Sequence, residues 1–300
     1  MSNPISWEDQ QAFLAVLEEG SLTGAARRLG VSHATARNRI ATLEAALGAV
    51  LFTRSANGLT PTEQARALEG PARAMALASE HFIRLAAAQP GEVAGVVRIS
   101  VPEFVGVEVI PPMLKTLRDV HPAIQVELSL SNAPADLLAQ EVDLAVRTVR
   151  PAQDALVARK AAVIPLGLFA SEAYLRARGT PASQADLARH DLIGPDRARA
   201  DLAFAETLGP AFDRGRLALR TDSHPAQLAA ARAGLGIAVA QVPAGARDPT
   251  LRRVLPEWVV AHLETWIVTH ESLRRVPRIR AVMGVLAAEF ARYQAPNPRS

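Results

Sequence analysis

Apolar positions near the start of the chain recur at helical spacing, and polar capping residues divide them into three short helices. Ser6 and Asp9 have the spacing of a capping pair at the start of the first helix. Ser21 or Thr23 can cap a second helix, and Ser32 can cap a third. The pattern therefore predicts a small helical unit at the N-terminus.

The third predicted helix has two unlike faces. Its apolar residues fall at i, i+4, i+7 and i+11 and predict one buried stripe, made of Ala36, Ile40, Leu43 and Leu47. The opposite face is small, polar and cationic, and it is made of Ala34, Thr35, Asn38 and Thr42, flanked by Arg37 and Arg39. No Asp or Glu occurs from Gly20 to Leu43. Such a face fits the major groove of DNA, because small residues allow close approach while Asn and Arg can bond base edges.

A short hairpin is predicted directly after the three helices. Asn57 and Gly58 stand between two apolar segments, and this dipeptide favours a type I′ turn. Thr60, Pro61 and Glu63 then predict the N-cap, first and third positions of a new helix. The sequence therefore indicates a two-stranded wing beside the helices.

The next segment, residues 62–89, predicts a long helix with more apolar positions than an isolated solvated helix carries. We expect Pro71 to kink or interrupt this helix, because proline removes a backbone donor. We also expect the helix to pack against a second copy of the chain.

From Val96 onward, strand-like and helix-like segments alternate. The predicted strands are VVRISV, IQVELSL, VDLAVR, PLGLFA, GIAVAQV and TWIVTH. Predicted helices, such as 106–118 and 223–233, lie between them, and an amphipathic helix closes the chain. This alternation predicts an α/β sheet protein.

Composition narrows the possible chemistry. The chain has 33 basic and 30 acidic residues, so the distribution of charge matters more than the net +3, and the bias towards Arg and Ala can equally reflect genomic composition. The absence of Cys rules out disulfides and thiolate sites and fits a cytoplasmic protein. The start of the chain shows no signal-peptide pattern, and no apolar run is long enough to span a membrane.

Several catalytic and metal motifs are missing. The seven His are scattered singly without metal-ligand spacing, so we expect no metal site. The Gly-Leu-Gly at 234–236 lacks a third glycine and precedes a strand, so it does not indicate a dinucleotide cofactor. No G-x-S-x-G elbow is present, and we expect neither a cofactor nor an enzyme.

A set of motifs in this order resembles the LysR-type transcriptional regulators over essentially the full length. The motifs are Phe13, GSLTGAARRLGVS (20–32), I-x-x-LE-x-x-LG (40–48), LFTR (51–54), LTPTE (59–63), VRIS (97–100), VDLAVR (142–147) and AGLGIAV (233–239). The chain departs from the usual family pattern at His33, Ala36, Arg37 and Asn38, which bears on the bases that are read and not on the fold.

The resemblance implies a domain organisation. It implies a winged helix-turn-helix over 1–61, a dimerising linker helix over 62–89 and an effector domain over 90–300. That domain is expected to resemble periplasmic binding proteins, with one subdomain at about 95–163 plus 268–295 and another at about 164–267. A small-molecule effector would bind between them, in a homodimer or homotetramer that activates or represses transcription.

The candidate DNA contacts are grouped at the third helix and the wing. Arg37 and Asn38 are the candidate readers of base edges, and the remaining candidates are Ser32, His33, Ala34 and Thr35 on the third helix with Arg27 and Arg54 beside it. Arg27 is expected to contact the DNA backbone or solvent. Arg54 is expected to contact a phosphate or to pair with the linker helix. A solvated basic face is the alternative interpretation of the group.

The candidate effector contacts lie at strand ends and helix starts. They are Ser100, Val101, Pro102, Arg147, Thr148, Pro195, Asp196, Thr221, Asp222 and Ser223. Hydroxyls and backbone N–H groups there suit an anion. Arg147 could bind a carboxylate, or it could pair with Asp143 or Glu141. Glu103, if it faced the cleft, would argue against an anionic effector.

Two other functions fit parts of the pattern. A solute-binding module or enzyme could use the N-terminal unit only to dimerise, but the acid-free helix and the wing disfavour that interpretation. Another helix-turn-helix family could share the first sixty residues, but the long C-terminal strand pattern disfavours it. The effector, the operator and the direction of regulation do not follow from the sequence.

Overall fold

The computed structural model of the chain describes residues 5–55, 58–86, 93–132, 142–153 and 155–295. These residues form two compact units, one containing the described residues up to 86 and the other those from 93 onward. Among the described helices, none has the length and apolar character needed to cross a lipid bilayer.

Three capped helices open the first unit, as the pattern predicts. They are α1 (Trp7–Glu19), α2 (Leu22–Leu29) and α3 (His33–Leu47). Ser6 and Asp9 form a complete capping box, Ser21 accepts a hydrogen bond from Gly24 N, and Ser32 caps α3. The predicted boundaries follow from these caps because each satisfies a free backbone N–H at a helix start.

The buried stripe of α3 is shorter than predicted. Ala36, Ile40 and Leu43 are buried against a core that includes Phe13 and Val16 of α1. Leu47 is 37% exposed, so its assignment to the stripe is wrong. The helix ends at this residue, and its side chain therefore lies beyond the neighbours that cover the other three.

The wing consists of β1 (Phe52–Ser55) and β2 (Gly58–Pro61), which pair antiparallel as predicted. Asn57, the first residue of the predicted turn, lies outside the described residues. Gly58 pairs with Ser55 as the first residue of β2, so its assignment as a central residue of a type I′ turn is wrong. Gly58 has a φ of 121°, and a Cβ at this position would lie 2.6 Å from the Gly20 carbonyl oxygen. Leu59 N donates to the same oxygen at 2.8 Å, so only glycine lets the wing pack this closely on the α1–α2 turn.

The linker helix α4 spans Glu63–Ala86. A cap at Thr60 would make Pro61 the first helical residue, so the helix begins two residues later than predicted. Thr62 Oγ1 accepts a hydrogen bond from Ala65 N at 3.3 Å and is the cap, so the assignment of this role to Thr60 is wrong. Thr60 and Pro61 belong to β2, where Pro61 pairs with Phe52. The helix is continuous through Pro71, so the proline does not interrupt it.

The second unit is built on one seven-stranded mixed sheet. Its strands are β3 (Gly95–Val101), β4 (Ile124–Leu130), β5 (Leu144–Arg147), β6 (Leu156–Ser171), β9 (Ala238–Gln241), β10 (Leu251–Val254) and β11 (Ala261–His270). Their order is β10-β6-β11-β5-β3-β4, with β9 also paired to β6. The short strands β7 (Ile193–Gly194) and β8 (Leu219–Arg220) form a separate parallel pair.

Six helices and a π-helical turn cover this sheet. They are the turn Val105–Val109 and α5 (Ile110–Val120), α6 (Glu172–Arg178), α7 (Arg199–Thr207), α8 (His224–Arg232), α9 (Val242–Arg247) and α10 (Pro277–Gln294). The α/β architecture agrees with the predicted alternation of strands and helices.

The second unit has two lobes that share two long strands. We define the first lobe as described residues 93–153 and 271–295 and the second lobe as residues 172–260. Strands β6 and β11 pair with each other over most of their length and run through both lobes. One apolar core contains residues of both lobes, including Val105 of the first and Leu228 of the second, so the lobes are packed together.

Candidate DNA-binding surface and effector cleft

The N-terminal half of α3 presents its predicted polar face to solvent. His33, Ala34, Arg37 and Asn38 are exposed, while Ala36 between them is fully buried. The capping residue Ser32 is fixed by two hydrogen bonds to Thr35, one from Thr35 N at 3.0 Å and one between the two hydroxyls at 2.8 Å. The helix start is therefore rigid while the side chains beyond it remain accessible.

The exposed cations of this unit differ in their partners. Arg28 pairs with Glu18 and lies 3.8 Å from Glu19, so acidic residues of the same unit neutralise its charge. Arg27, Arg37 and Arg54 are exposed and make no ion pair within the described part of the chain. The pairing of Arg54 with the linker helix, one of its two predicted roles, is not seen among the described residues.

One acidic residue of α3, Glu44, has a structural role that we did not predict. Glu44 Oε1 accepts hydrogen bonds from Leu51 N at 2.7 Å and from Phe52 N at 3.3 Å. These bonds fix the turn that leads from α3 into the wing. The only sequence signal is the Leu-Glu pair within the family motif, which does not reveal its bonding partners.

In the first lobe, the predicted effector residues meet at the ends of β3 and β5. Ser100 and Val101 are buried, and Pro102 and Thr148 are half-buried. Arg147 donates to Ser100 O at 3.1 Å, Ser100 Oγ at 2.8 Å and Val146 O at 2.6 Å. Burial lowers the pKa of Arg147. The guanidinium therefore ties two strand ends together.

In the second lobe, Asp222 organises the loop that follows β7. Its carboxylate accepts hydrogen bonds from Asp196 N at 2.8 Å, Arg197 N at 2.9 Å and Ala198 N at 3.1 Å. Hydrogen bonds from the backbone N–H of Ala198 and of Arg197 hold the pKa of Asp222 below its usual value. All three donors belong to the second lobe, so these hydrogen bonds of Asp222 lie within that lobe.

Other predicted residues of the second lobe are also held by internal bonds. Asp196 pairs with Arg214 at 2.7 Å and with Arg197 at 3.2 Å. Thr221 N donates to Gly194 O at 3.0 Å. Pro195, the residue after Gly194, is buried. These contacts bring the ends of β7 and β8 to one place.

A direct hydrogen bond joins the two sets of residues across the lobes. Ser223 Oγ donates to Glu103 Oε2 at 3.3 Å, and Glu103 N donates to Asn132 Oδ1 at 3.1 Å. Glu103 therefore faces the second lobe, the orientation that would argue against an anionic effector. The two residues are far apart in sequence, and no sequence pattern predicts their contact.

His224 adds a titratable group beside this contact. Its Nε2 lies 3.1 Å from Asp201 Oδ2. The hydrogen bond with Asp201 raises the pKa of His224, and the charges of Asp201, Glu103 and Asp222 act in the same direction against the effect of burial. His224 and Asp201 are site residues that we did not predict. Within the described ranges, no group of three or more His, Asp or Glu side chains is placed to hold a metal ion.

Comparison with known sequences separates the chain into two family regions. Residues 7–66 match the bacterial regulatory helix-turn-helix proteins of the LysR family, and residues 90–291 match the LysR substrate binding domain. The probable HTH-type transcriptional regulator LtrA of Klebsiella pneumoniae is 26% identical over 290 residues, covering 93% of each chain. An HTH-type transcriptional regulator of Xanthomonas campestris pv. campestris is 30% identical over 182 residues, covering 61% of this chain and 53% of that relative.

Solved structures share the fold. The full-length structure of the Vibrio cholerae virulence activator AphB is 22% identical, covers 94% of this chain and 99% of its own, and gives a TM-score of 0.61. Full-length CbnR in complex with its target DNA is 22% identical, covers 96% of this chain and 99% of its own, and gives a TM-score of 0.68. From the match of the effector-binding region over 90–291 and of the helix-turn-helix over 7–66, the chain belongs to the LysR family of DNA-binding transcriptional regulators and is not an enzyme.

Proposed function

We propose that the exposed N-terminal face of α3 reads a roughly palindromic operator in the major groove. The observation that carries this proposal is that Arg37 and Asn38 are exposed, without a partner among the described residues, on a helix face free of acidic side chains. His33, Ala34 and Thr35 would lie close to the bases. CbnR, a structural neighbour, has been solved with its target DNA, which supports DNA as the ligand of this fold.

Backbone phosphates would be bound by residues beside the recognition helix. Arg27 and Arg54 are exposed cations on α2 and in the wing, and Ser32 stands at the start of α3. Such contacts position the protein without reading sequence. The domain therefore combines positioning contacts from the wing and α2 with specific contacts from α3.

A dimer formed through the linker helix would place two recognition helices on one operator. The helix α4 lies within the proposed linker, 62–89, between a DNA-binding domain over 1–61 and an effector domain over 90–300. Met75, Phe82 and Ile83 on α4 are 43%, 72% and 62% exposed, and such apolar exposure supports contact with a second copy. Two dimers would then assemble into the homotetramer.

The effector would bind in the cleft between the lobes, within subdomains at about 95–163 plus 268–295 and about 164–267. The residues proposed to line it are Ser100, Val101, Pro102, Arg147, Thr148, Pro195, Asp196, Thr221 and Ser223. The bond between Ser223 and Glu103 supports a location where both sets of strand ends meet. A ligand that binds one lobe arrangement better than another would shift the population and change the spacing of the recognition helices. Because its target is chromosomal DNA, we place the protein in the cytoplasm.

A gel shift with genomic fragments from beside the protein's own gene tests this function. We expect a specific band whose affinity falls as salt rises, because each neutralised phosphate releases counterions. Arg54→Ala should reduce the slope of log affinity against log salt by about 1, and Arg280→Ala, at an exposed position in the second unit, should leave it unchanged. The absence of any salt-sensitive specific band would refute the proposed function.

A further inference from the structure

Glu103 is a half-buried carboxylate in the proposed effector cleft, and its cationic neighbour, His224, acts on it without forming an ion pair. Its backbone is held by Asn132, and its Oε2 accepts a hydrogen bond from Ser223 Oγ at 3.3 Å. Across the described part of the chain, it makes no ion pair. A partly buried carboxylate is poorly compensated by one hydroxyl donor, because desolvation of the charge is offset best by an opposite charge.

The cations at the predicted cleft positions are already engaged. The donors of Arg147 go to Ser100 and Val146. Arg214 and Arg197 pair with Asp196. Arg214 and Arg197 would have to release Asp196 to bind a carboxylate ligand. Arg147 donates only to uncharged oxygens, so the group that disfavours a carboxylate ligand near Ser223 is Glu103.

The other two acidic residues near Glu103, Asp222 and Asp201, both interact with partners inside the second lobe. Asp222 accepts three backbone N–H bonds, and Asp201 pairs with His224. Among these three acids, Glu103 has the fewest partners: one hydroxyl donor and the more distant charge of His224. The adjacent Ser223 hydroxyl can rotate to accept a hydrogen bond as well as donate one. Together these two groups offer a carboxylate and a hydroxyl oxygen, one from each lobe.

We propose that the effector carries a protonated amine that binds between Glu103 and Ser223. This proposal rests on the proposed function of the cleft as the effector site. The ammonium group would pair with the Glu103 carboxylate and donate to Ser223 Oγ, replacing the direct bond between the lobes. Carboxylate effectors are disfavoured at this position, because like charges within a few ångströms repel.

A thermal-shift experiment on the full chain with matched probes tests the charge of the effector. The probes are benzylamine against benzoate, cyclohexylamine against cyclohexanecarboxylate, and 1,4-diaminobutane against succinate, each at 10 mM. We expect at least one amine to raise the melting temperature of the second unit, by about 3 °C if its concentration is ten times its dissociation constant. The matched carboxylate should give no shift.

Substitutions at Glu103 locate the effect. Glu103→Gln should abolish the shift given by the amine, and Glu257→Gln, which removes a similar charge at an exposed position, should preserve it. Glu103→Lys should reverse the preference, so that the matched carboxylate stabilises. The melting temperature without ligand shows whether each variant is folded.

Three results would overturn the proposal: stabilisation of the wild-type protein by carboxylates only, an amine shift that survives Glu103→Gln, or no response to any amine. Operator binding by the wild-type protein is measured in parallel. Loss of the proposed regulator function would appear as absent DNA binding, whereas failure of the amine proposal would leave DNA binding intact.

Discussion

At the scale of single residues, a few side chains with definite partners determine both surfaces. On α3, Ala36 is buried while the next two residues, Arg37 and Asn38, are exposed. Sequence periodicity predicts this division because a helix places successive side chains 100° apart. The contact between Glu103 and Ser223 could not be predicted, since it depends on how two distant segments pack.

His224 gives a residue-scale prediction about pH. Asp201→Asn should lower the pKa of His224 towards its ordinary value, because the variant loses the carboxylate that stabilises the imidazolium. An NMR titration of the His224 ring in the wild-type protein and in the variant measures this directly.

The sign of the linked stability change follows from the raised pKa. A histidine whose pKa is raised on folding contributes stability below its unfolded pKa, near 6.5, and this contribution is lost as pH rises through the folded pKa. Asp201→Asn should therefore be less stable than wild type by about 0.5 kcal/mol at pH 5.5. The difference should shrink above pH 8, and a difference that grows with pH would contradict this account.

At the scale of elements, local sequence determines helix starts better than strand lengths. The capping residues Ser6, Ser21 and Ser32 act as predicted, because a cap bonds within its own turn. Thr60 does not, because pairing of β2 with β1 takes precedence over local capping chemistry. Strand β6 has sixteen residues where six were predicted. Its backbone pairs with β11, and this pairing keeps residues in the strand that lack a strand-like sequence pattern.

The helix α4 gives an element-scale prediction about assembly. Phe82→Glu combined with Ile83→Glu should weaken the dimer at least about 100-fold, because the apolar surface buried by the second copy would carry charge. Analytical ultracentrifugation measures the change. Ala67→Glu, at an exposed position in the first turns of α4, should leave the dimer intact. An unchanged dimer in the double variant would show that α4 is not the interface.

At the scale of the whole molecule, α8 connects the two lobes at both of its ends. Ser223 precedes its first turn and contacts Glu103. Arg232 at its last turn donates to Glu108 at 2.8 and 2.6 Å and to Asp248 at 2.6 Å. The hydrogen bonds to Glu108 raise the pKa of Arg232, so its guanidinium stays charged at every accessible pH.

The ion triad gives a prediction about stability of the second unit. Arg232→Met should destabilise this unit by about 2–3 kcal/mol, because Glu108 and Asp248 would be left partly buried without a cation. Combining Arg232→Met with Glu108→Met should cost less than the sum of the single changes, which is the signature of coupled residues. Calorimetry of the full chain provides the melting temperatures. Strict additivity would show that the two lobes are not held by this pair.

The proposed function depends most on α3 being the part of the molecule that reads DNA. The most direct measurement is the binding of wild-type protein, Arg37→Ala and Asn38→Ala to a library of operator variants at fixed salt. Each substitution should weaken operator binding by about 1–3 kcal/mol and relax the preference at one base position in each half-site. Equal affinity and an unchanged base preference in both variants would contradict the account.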